Sequence, residues 1–488
     1  MAAIRYSRID RRTFLGAAVA GTAGLAASAV LPESAHARAA GRRRPNILFV
    51  LSDQQRWDTV DCYGAPLFPG LTPNLDQMAQ RGVRLQRAFT PQPLCGPARS
   101  ILQTGRWASE TGCIRNDIPL DPNEKTLAHW LGDAGYQTAY IGKWHLGPPS
   151  NDTGDGKANA VPPQYQGGYQ YWLASNILET SSHAYDGCMF DGKMQRVDFP
   201  PGRYRVDCLT DYAIEYLRTR GRSQPFFLFL SYLEPHHQND HKHFEGPRGS
   251  REQFKNYRVP ADLLNGPMPG DWREELPDYL GCCNSLDSNL GRLLDQLKLM
   301  GVADDTLTVY TSDHACHFRT HEGEYKRSCH DNSIRIPLIV SGPNFTGGKT
   351  INELVSLIDL PPTILSAAGL TAPPTMRGRA LQDLAAGTTH DWQQEVFVQI
   401  SGAGVGRAIR TANWTFAVEL QNSNHSQEVR DVYVEKYLFD VKSDAAQHHN
   451  LVFDARYDKV RTDLCAVLRR RMVLAGEKEP EIRPAKNV

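Results

Sequence analysis

The sequence carries no surplus of charge in either sign: 54 Lys and Arg residues balance 54 Asp and Glu across 488 positions. A general nucleic-acid binder would show a basic excess, so that class is excluded. Cysteine is scarce as well. Ten in a chain of this length are too few to staple a mini-protein, and no disulfide is assigned. Beyond the N-terminal leader there is no run of 18 or more strongly apolar residues, so no integral membrane segment is expected. Internal repeats and low-complexity tracts are also lacking. What is there, 41% apolar and 22% charged residues, is globular composition and excludes a disordered or fibrous chain. The length predicts a large domain with a smaller companion, or two to three domains.

The first forty residues read as an address. Arg11 and Arg12 precede Phe14 and Leu15, an Ala/Gly-rich stretch runs from Ala17 to Leu31, and Ala35-His36-Ala37 offers small residues for cleavage. This order of basic, apolar and small-residue segments resembles a twin-arginine export signal. It predicts a bacterial protein, periplasmic or extracellular, with the twin-arginine export machinery as a partner. Residues 1–40 are assigned to signal and linker, 41–384 to a large domain and 385–488 to a C-terminal subdomain.

Five short apolar runs read as strands: residues 46–52 (NILFVLS), 137–142 (QTAYIG), 225–232 (PFFLFLSY), 306–312 (TLTVYTS) and 337–341 (PLIVS). Runs of this length without polar alternation suit strands buried on both faces, as in a parallel sheet. Helical patterns lie between them. Thr72-Pro73 supplies a cap and an N1 proline before NLDQMAQR, with Gly82 as the stop. Leu127, Trp130 and Leu131 recur at helical spacing within 125–134. Leu286, Leu290, Leu293, Leu294 and Leu297 form a stripe ending near Gly301. The alternation predicts an α/β sandwich. Beyond residue 385, the segments 396–400, 407–411, 414–420 and 435–441 read as antiparallel strands, and 456–474 as a final helix.

Four of the five apolar runs end in ionisable or metal-binding groups: Asp53-Gln54, Lys143-Trp144-His145, Glu234-Pro235-His236 and Asp313-His314. Ligands of open α/β sheets bind beyond the carboxyl ends of the strands, so these groups are expected at one edge. A lone Asp after a strand is usually a turn or a helix cap; four such endings together call for another account.

Residues 93–106 read PLCGPARSILQTGR, with Cys95, Pro97 and Arg99 in a C-x-P-x-R pattern. Together with the S-x-L-x-T-G-R that follows, it resembles the signature of the type I, formylglycine-dependent sulfatases of the alkaline-phosphatase superfamily. The likeness continues through PNILFVLSDQQ, TPNLDQMAQRGVRL, LGDAGYQTAYIGKWHLG, PFFLFLSYLEPHH, the segment TSDHACHFRTHEGEYKRSC and the tail YLFDVKSDAAQHHNL, covering nearly all of residues 45–475. It implies a large α/β domain whose central mixed, mostly parallel sheet is sandwiched by helices, and a smaller C-terminal α+β subdomain with an antiparallel sheet. It also implies hydrolysis of the sulfate ester of a carbohydrate or a small aryl or alkyl alcohol, with Cys95 converted to formylglycine by a formylglycine-generating enzyme.

The chemistry fits the residue types. A sulfate ester is an anion, so positive charge must gather where negative charge develops in the transition state. A divalent cation, Arg99, Lys143 and Lys326 provide it, and the N-terminus of the helix carrying Cys95 adds its free N–H groups. The resemblance implies that a hydrated aldehyde at residue 95 attacks sulfur and forms a covalent sulfo-enzyme. His236 then protonates the leaving alcohol, and His145 deprotonates the remaining hydroxyl to expel sulfate. Arg99 steadies the hydrate, Lys143, His236 and Lys326 bind the sulfate group, and Asn116 contacts substrate.

The matched metal positions are Asp53, Gln54, Cys95, Asp313 and His314. Many family members carry more carboxylates here. Ca²⁺ is expected on family grounds, with Mn²⁺ or Mg²⁺ as alternatives because an imidazole suits softer metals. Related phosphonate-monoester and phosphodiester hydrolases carry similar Asp-Gln and Asp-His pairs and stand as the alternative function. A non-catalytic binder of sulfated polysaccharide is a further alternative, opposed by the presence of the whole residue set. The His236, His237, His241 and His243 cluster reads as a polar loop on the substrate side rather than a zinc site. Trp57, Trp144, Tyr325 and Cys282-Cys283 read as packing.

Overall fold

The apolar runs become the middle of one 12-stranded mixed sheet, and the reason they show no polar alternation is visible in a single strand. In Asn46–Ser52, Ile47, Phe49 and Leu51 enter one buried cluster, while Leu48 and Val50 enter another on the opposite face. The computed structural model describes residues 44–149, 158–402, 404–421 and 432–485; the proposed export signal lies outside the described residues. From Arg44 onward the chain forms one compact unit that holds both of its large sheets. Among the described residues no helix is long and apolar enough to cross a membrane.

Asn46–Ser52 lies between Thr306–Ser312 and Phe226–Ser231. Gln137–Lys143 and then Tyr171–Ser175 follow beyond Phe226–Ser231, all parallel. Ser52 pairs with Ser312 and Lys143 with Ser175, so the carboxyl ends of these strands come level at one edge. The fifth apolar run departs from the parallel expectation: Leu338–Ser341 runs antiparallel to Thr306–Ser312 and to Val83–Phe89. Burial on both faces makes a strand uniformly apolar whichever way it points, so its direction was not legible. Pointing the other way, it delivers no group to the active edge.

Helices cover both faces. Pro73–Arg81, Arg205–Thr219 and the 28-residue Trp272–Leu299 pack on the Leu48 side; Leu127–Asp133 and Leu360–Ala367 pack on the Phe49 side. The expected cap of the first helix takes a different form. The Thr72 side chain makes no capping bond; its hydroxyl accepts from Asp61 N. The carboxylate of Asp287, on the long helix, instead accepts from Asn74 N and Leu75 N at 3.1 and 2.7 Å. A cap 213 residues away has no local sequence signal.

The C-terminal strands Glu395–Ile400, Gly406–Thr411, Trp414–Leu420 and Val432–Asp440 form an antiparallel meander. Glu481–Arg483, not foreseen, adds a parallel edge strand. Helix Asp458–Leu474 covers this sheet through Leu464, Leu468 and Met472. All ten cysteines are free thiols.

Candidate active site

Four strand ends and one helix start meet at the carboxyl edge of the large sheet. Cys95 opens the helix Cys95–Thr104, every residue of which is buried. Its sulfur lies 3.0 Å from Lys326 Nζ, 3.2 Å from His314 Nε2, 3.6 Å from Asp53 Oδ1 and 3.9 Å from Lys143 Nζ. His145 and His236 contribute to its electrostatic surroundings. Burial alone would push the thiol up, but Lys143, Lys326 and His314 outweigh it and hold Cys95 well below the usual thiol range. The position is therefore built for a negatively charged group.

Arg99, one turn along the same helix, ties the seat together. Its Nη2 donates to Asp53 Oδ2 at 3.0 Å, and its Nε lies 3.2 Å from Asp313 Oδ2. Its Nη1 donates to the Lys143 carbonyl and to Ser231 Oγ at 2.7 and 2.6 Å. Lys143 Nζ stands 2.9 Å from Asp53 Oδ2 and 3.2 Å from Glu179 Oε2. Gly142 permits this closeness: its φ is +108°, and a Cβ there would lie 1.9 Å from the Ser231 carbonyl oxygen. Gln54 and His145, immediately beyond the strand ends, also hold left-handed backbone at φ +68° and +60°. Such conformations persist where surrounding structure enforces them.

Asp53 and Asp313 divide their oxygens. The Oδ2 atoms face Arg99 and Lys143, and the Oδ1 atoms face His314 Nε2 at 3.5 and 3.6 Å. Burial and the Cys95 charge push Asp53 up, yet Lys143, His236 and Arg99 hold it below the usual carboxylate range. Asp313 is pushed up to about 6 by burial and by the charge of Asp53. Two like charges crowded in a dry site are what a bound dication relieves.

The donor chemistry fits a metal. Asp53, Cys95, Asp313 and His314 offer ligand atoms all within 4.8 Å of one another. His314 Nδ1 lies 3.1 Å from the Ala315 carbonyl, which can only accept, so Nδ1 carries the proton and Nε2 turns its lone pair inward. Gln54 Nε2 is engaged 3.4 Å from Cys316 Sγ, so its amide oxygen is the atom it could offer a metal.

The residues anticipated from sequence converge: Asp53, Gln54, Cys95, Arg99, Lys143, His145, His236, Asp313, His314 and Lys326 all surround this seat. Asn116 stands beside the helix start that carries Cys95. Its Oδ1 accepts from Gly96 N at 2.9 Å, so it secures the first turn of the Cys95 helix. The histidine-rich loop splits. His236 faces Lys326, His237 stacks on Tyr325, and His241 pairs with Glu245. Trp144 is packing, enclosed by Tyr140 and Trp172. Sequence reasoning missed Glu179 and Ser231. Ser231 is a small polar residue at a strand end, a signal that was available; Glu179 lies in a segment without periodicity.

A cation-lined cysteine at a helix start, on the carboxyl edge of a mixed α/β sheet, suits a hydrolase of anionic esters, and the comparisons place the chain in the alkaline-phosphatase superfamily. The sulfatase family profile matches residues 45–370, and the profile for the C-terminal part of N-sulphoglucosamine sulphohydrolase matches 321–473. The chain belongs to the sulfatase family. An ulvan-active sulfatase of Formosa agariphila is 28% identical over 453 residues, covering 89% of this chain and 82% of that protein. The solved yidJ sulfatase of Bacteroides fragilis has the same fold, with a TM-score of 0.77 at 24% identity over 90% of this chain and 97% of that one. A further structure, solved with its substrate D-glucosamine-2-N,6-O-disulfate, gives a TM-score of 0.72 at 23% identity over 90% and 99%.

Proposed function

We propose that this sulfatase hydrolyses the sulfate ester of a saccharide, or of a small aryl or alkyl alcohol, with residue 95 acting as formylglycine. One observation carries the reading: Lys326 and Lys143 converge on the Cys95 sulfur at 3.0 and 3.9 Å beside a carboxylate–imidazole set suited to a dication. The saccharide class is supported by the ulvan-active relative and by the sulfated-sugar complex of the structural neighbour. Export by the twin-arginine route belongs to the same proposal and places the enzyme outside the cytoplasm.

The Cys95 sulfur marks the position of the reactive oxygen. A formylglycine there supplies a hydrated aldehyde as nucleophile and releases sulfate by re-forming the carbonyl, which a plain Ser cannot do. Asp53, Gln54, Asp313, His314 and residue 95 would hold Ca²⁺, which would supply Lewis acidity at that point. Lys143 and Lys326 hold the sulfate oxygens as charge builds on them. His236 Nδ1 donates to the His237 carbonyl at 2.6 Å, so its Nε2, 3.1 Å from Lys326 Nζ, is the atom that faces the leaving alcohol. It hands over a proton there from the imidazolium form, which burial and the charges of Lys326 and Lys143 disfavour at rest. His145 takes the proton from residue 95 in the release step. Arg99 stays paired with Asp53 and Asp313.

Steady-state rates on a panel of defined sulfated saccharides, an aryl sulfate and an aryl phosphonate monoester test this. Sulfate esters are expected to dominate. A dominant phosphonate rate would transfer the assignment to the phosphonate hydrolases, whose Asp-Gln and Asp-His pairs Gln54 and His314 resemble. Mass analysis of the peptide containing residue 95 is expected to show the aldehyde; an unmodified thiol from the native host would favour a non-catalytic binder.

A further inference from the structure

A carboxylate stands where an anion has to bind. Glu179 belongs to the short helix Leu178–Ser181 that follows strand Tyr171–Ser175, and it is only 5% exposed. Gln238 Nε2 donates to its main-chain carbonyl at 2.5 Å, which anchors the turn. Its Oε2 makes no hydrogen bond and lies 3.2 Å from Lys143 Nζ, the ammonium that is itself 3.9 Å from the Cys95 sulfur. His145, His236 and Cys95 complete its electrostatic surroundings. Lys143 does not need this partner to stay charged, because Asp53 Oδ2 already stands 2.9 Å from it. A second buried acid in a pocket for negatively charged substrates weakens binding unless it serves discrimination.

Counting the charges shows what it discriminates. Arg99, Lys143 and Lys326 bring three positive charges; Asp53 and Asp313 face the metal seat, with Arg99 against both and Lys143 against Asp53. Glu179 removes one unit from what is left for the ligand. A sulfate ester carries one negative charge. A phosphate monoester of the same shape carries two above its second pKa, near 6. We infer that Glu179 is a charge-selecting residue: its fixed negative charge beside Lys143 admits a monoanionic ester and penalises a dianionic one. The inference rests on the proposed function in one respect, that a tetrahedral oxyanion is bound against residue 95.

Rates for 4-nitrophenyl sulfate, 4-nitrophenyl phosphate and 4-nitrophenyl phenylphosphonate at pH 8 test it in the full chain with its metal. Glu179→Gln is expected to raise the phosphate-to-sulfate ratio of kcat/KM by about 10- to 100-fold, the effect of one unit charge at close range in a partly screened site. The phosphonate-to-sulfate ratio should stay within about threefold, because both esters are monoanions. Glu179→Asp, which keeps the charge, should retain the parent ratios. Glu179→Ala should shift them as Gln does, and it serves if the Gln variant fails to fold. An unchanged phosphate ratio in both charge-removing variants overturns the inference. So does a phosphonate ratio that rises in parallel, since that reports shape rather than charge. If the parent enzyme proves inactive on sulfate esters, the proposed function fails by itself. The phosphate-to-phosphonate ratio still decides the role of Glu179.

Discussion

Replacing Arg99 by Met keeps the volume of the side chain and removes its charge. In the parent, the 2%-exposed guanidinium is the ion-pair partner of Asp313 Oδ2, which has no hydrogen bond of its own, and it shares Asp53 Oδ2 with Lys143. Arg99→Met therefore leaves Asp53 half compensated and Asp313 bare on that side. Leaving a buried charge uncompensated costs about 3–5 kcal/mol. The Ser231 hydroxyl also loses its donor, which adds roughly 1–3 kcal/mol, part of which overlaps the first figure, while the Lys143 carbonyl keeps Tyr140 Oη. A loss of about 4 kcal/mol or more is expected, read as a lower urea midpoint by tryptophan fluorescence. Arg99→Lys retains the charge, but a single ammonium cannot span four acceptors on different sides. About half that loss is expected, with kcat/KM falling at least ~100-fold in both variants. A Met variant within about 1 kcal/mol of the parent would refute the reasoning, because it would mean that the two carboxylates do not depend on this cation.

Three further outcomes are expected. Cys95→Ala removes turnover while costing less than about 2 kcal/mol, since one small buried atom is lost; collapse of the soluble fold would mark the cysteine as structural instead. Extensive treatment with a chelator abolishes hydrolysis, and Ca²⁺ restores it better than Mn²⁺ or Mg²⁺, checked by elemental analysis of the refilled protein; full activity in a metal-free sample contradicts the assignment. The third concerns pH. Burial, with the neighbouring histidines, pushes His317 down to about 3 and His321 to about 4, and His330, stacked on His321 at 3.8 Å, lies well below its usual value. The unfolded imidazoles titrate near 6.5, so below that pH the unfolded chain binds more protons than the folded one. The stabilisation is complete above pH 6.5 and lost as pH falls, by up to about 4 kcal/mol per pH unit for three groups. Thermal midpoints between pH 7 and 5 should drop accordingly, less so in His321→Gln; a flat profile contradicts this.

Much of the site was legible because chemistry-bearing residues directly follow uniformly apolar runs. Asp53, Lys143, His145, His236 and Asp313 each lie within a few residues of a strand end, and a parallel sheet delivers such ends to one edge. Cys95 and Arg99 were legible from their spacing in a recognisable signature. Glu179 was not, since a lone Glu in a four-residue helix without periodicity looks the same whether it faces water or a buried ammonium. The capping of Pro73–Arg81 by Asp287 was hidden for the same reason, its partner being remote in the chain.

Local sequence determined the five uniformly apolar strands and the amphipathic helices, because apolar periodicity and Gly or Pro punctuation act over a few residues; the strands Val83–Phe89, Tyr171–Ser175 and Glu481–Arg483 carried no such signal. It also determined which chemical groups stand at the strand ends. Tertiary structure alone decided the direction of Leu338–Ser341, the bond from Gly96 N to Asn116 at the first turn of the Cys95 helix, and the carboxylate that shares Lys143 with Asp53. Those depend on pairing and on charges a few ångströms apart in space, and a contact between residues far apart in the chain leaves no local pattern to read.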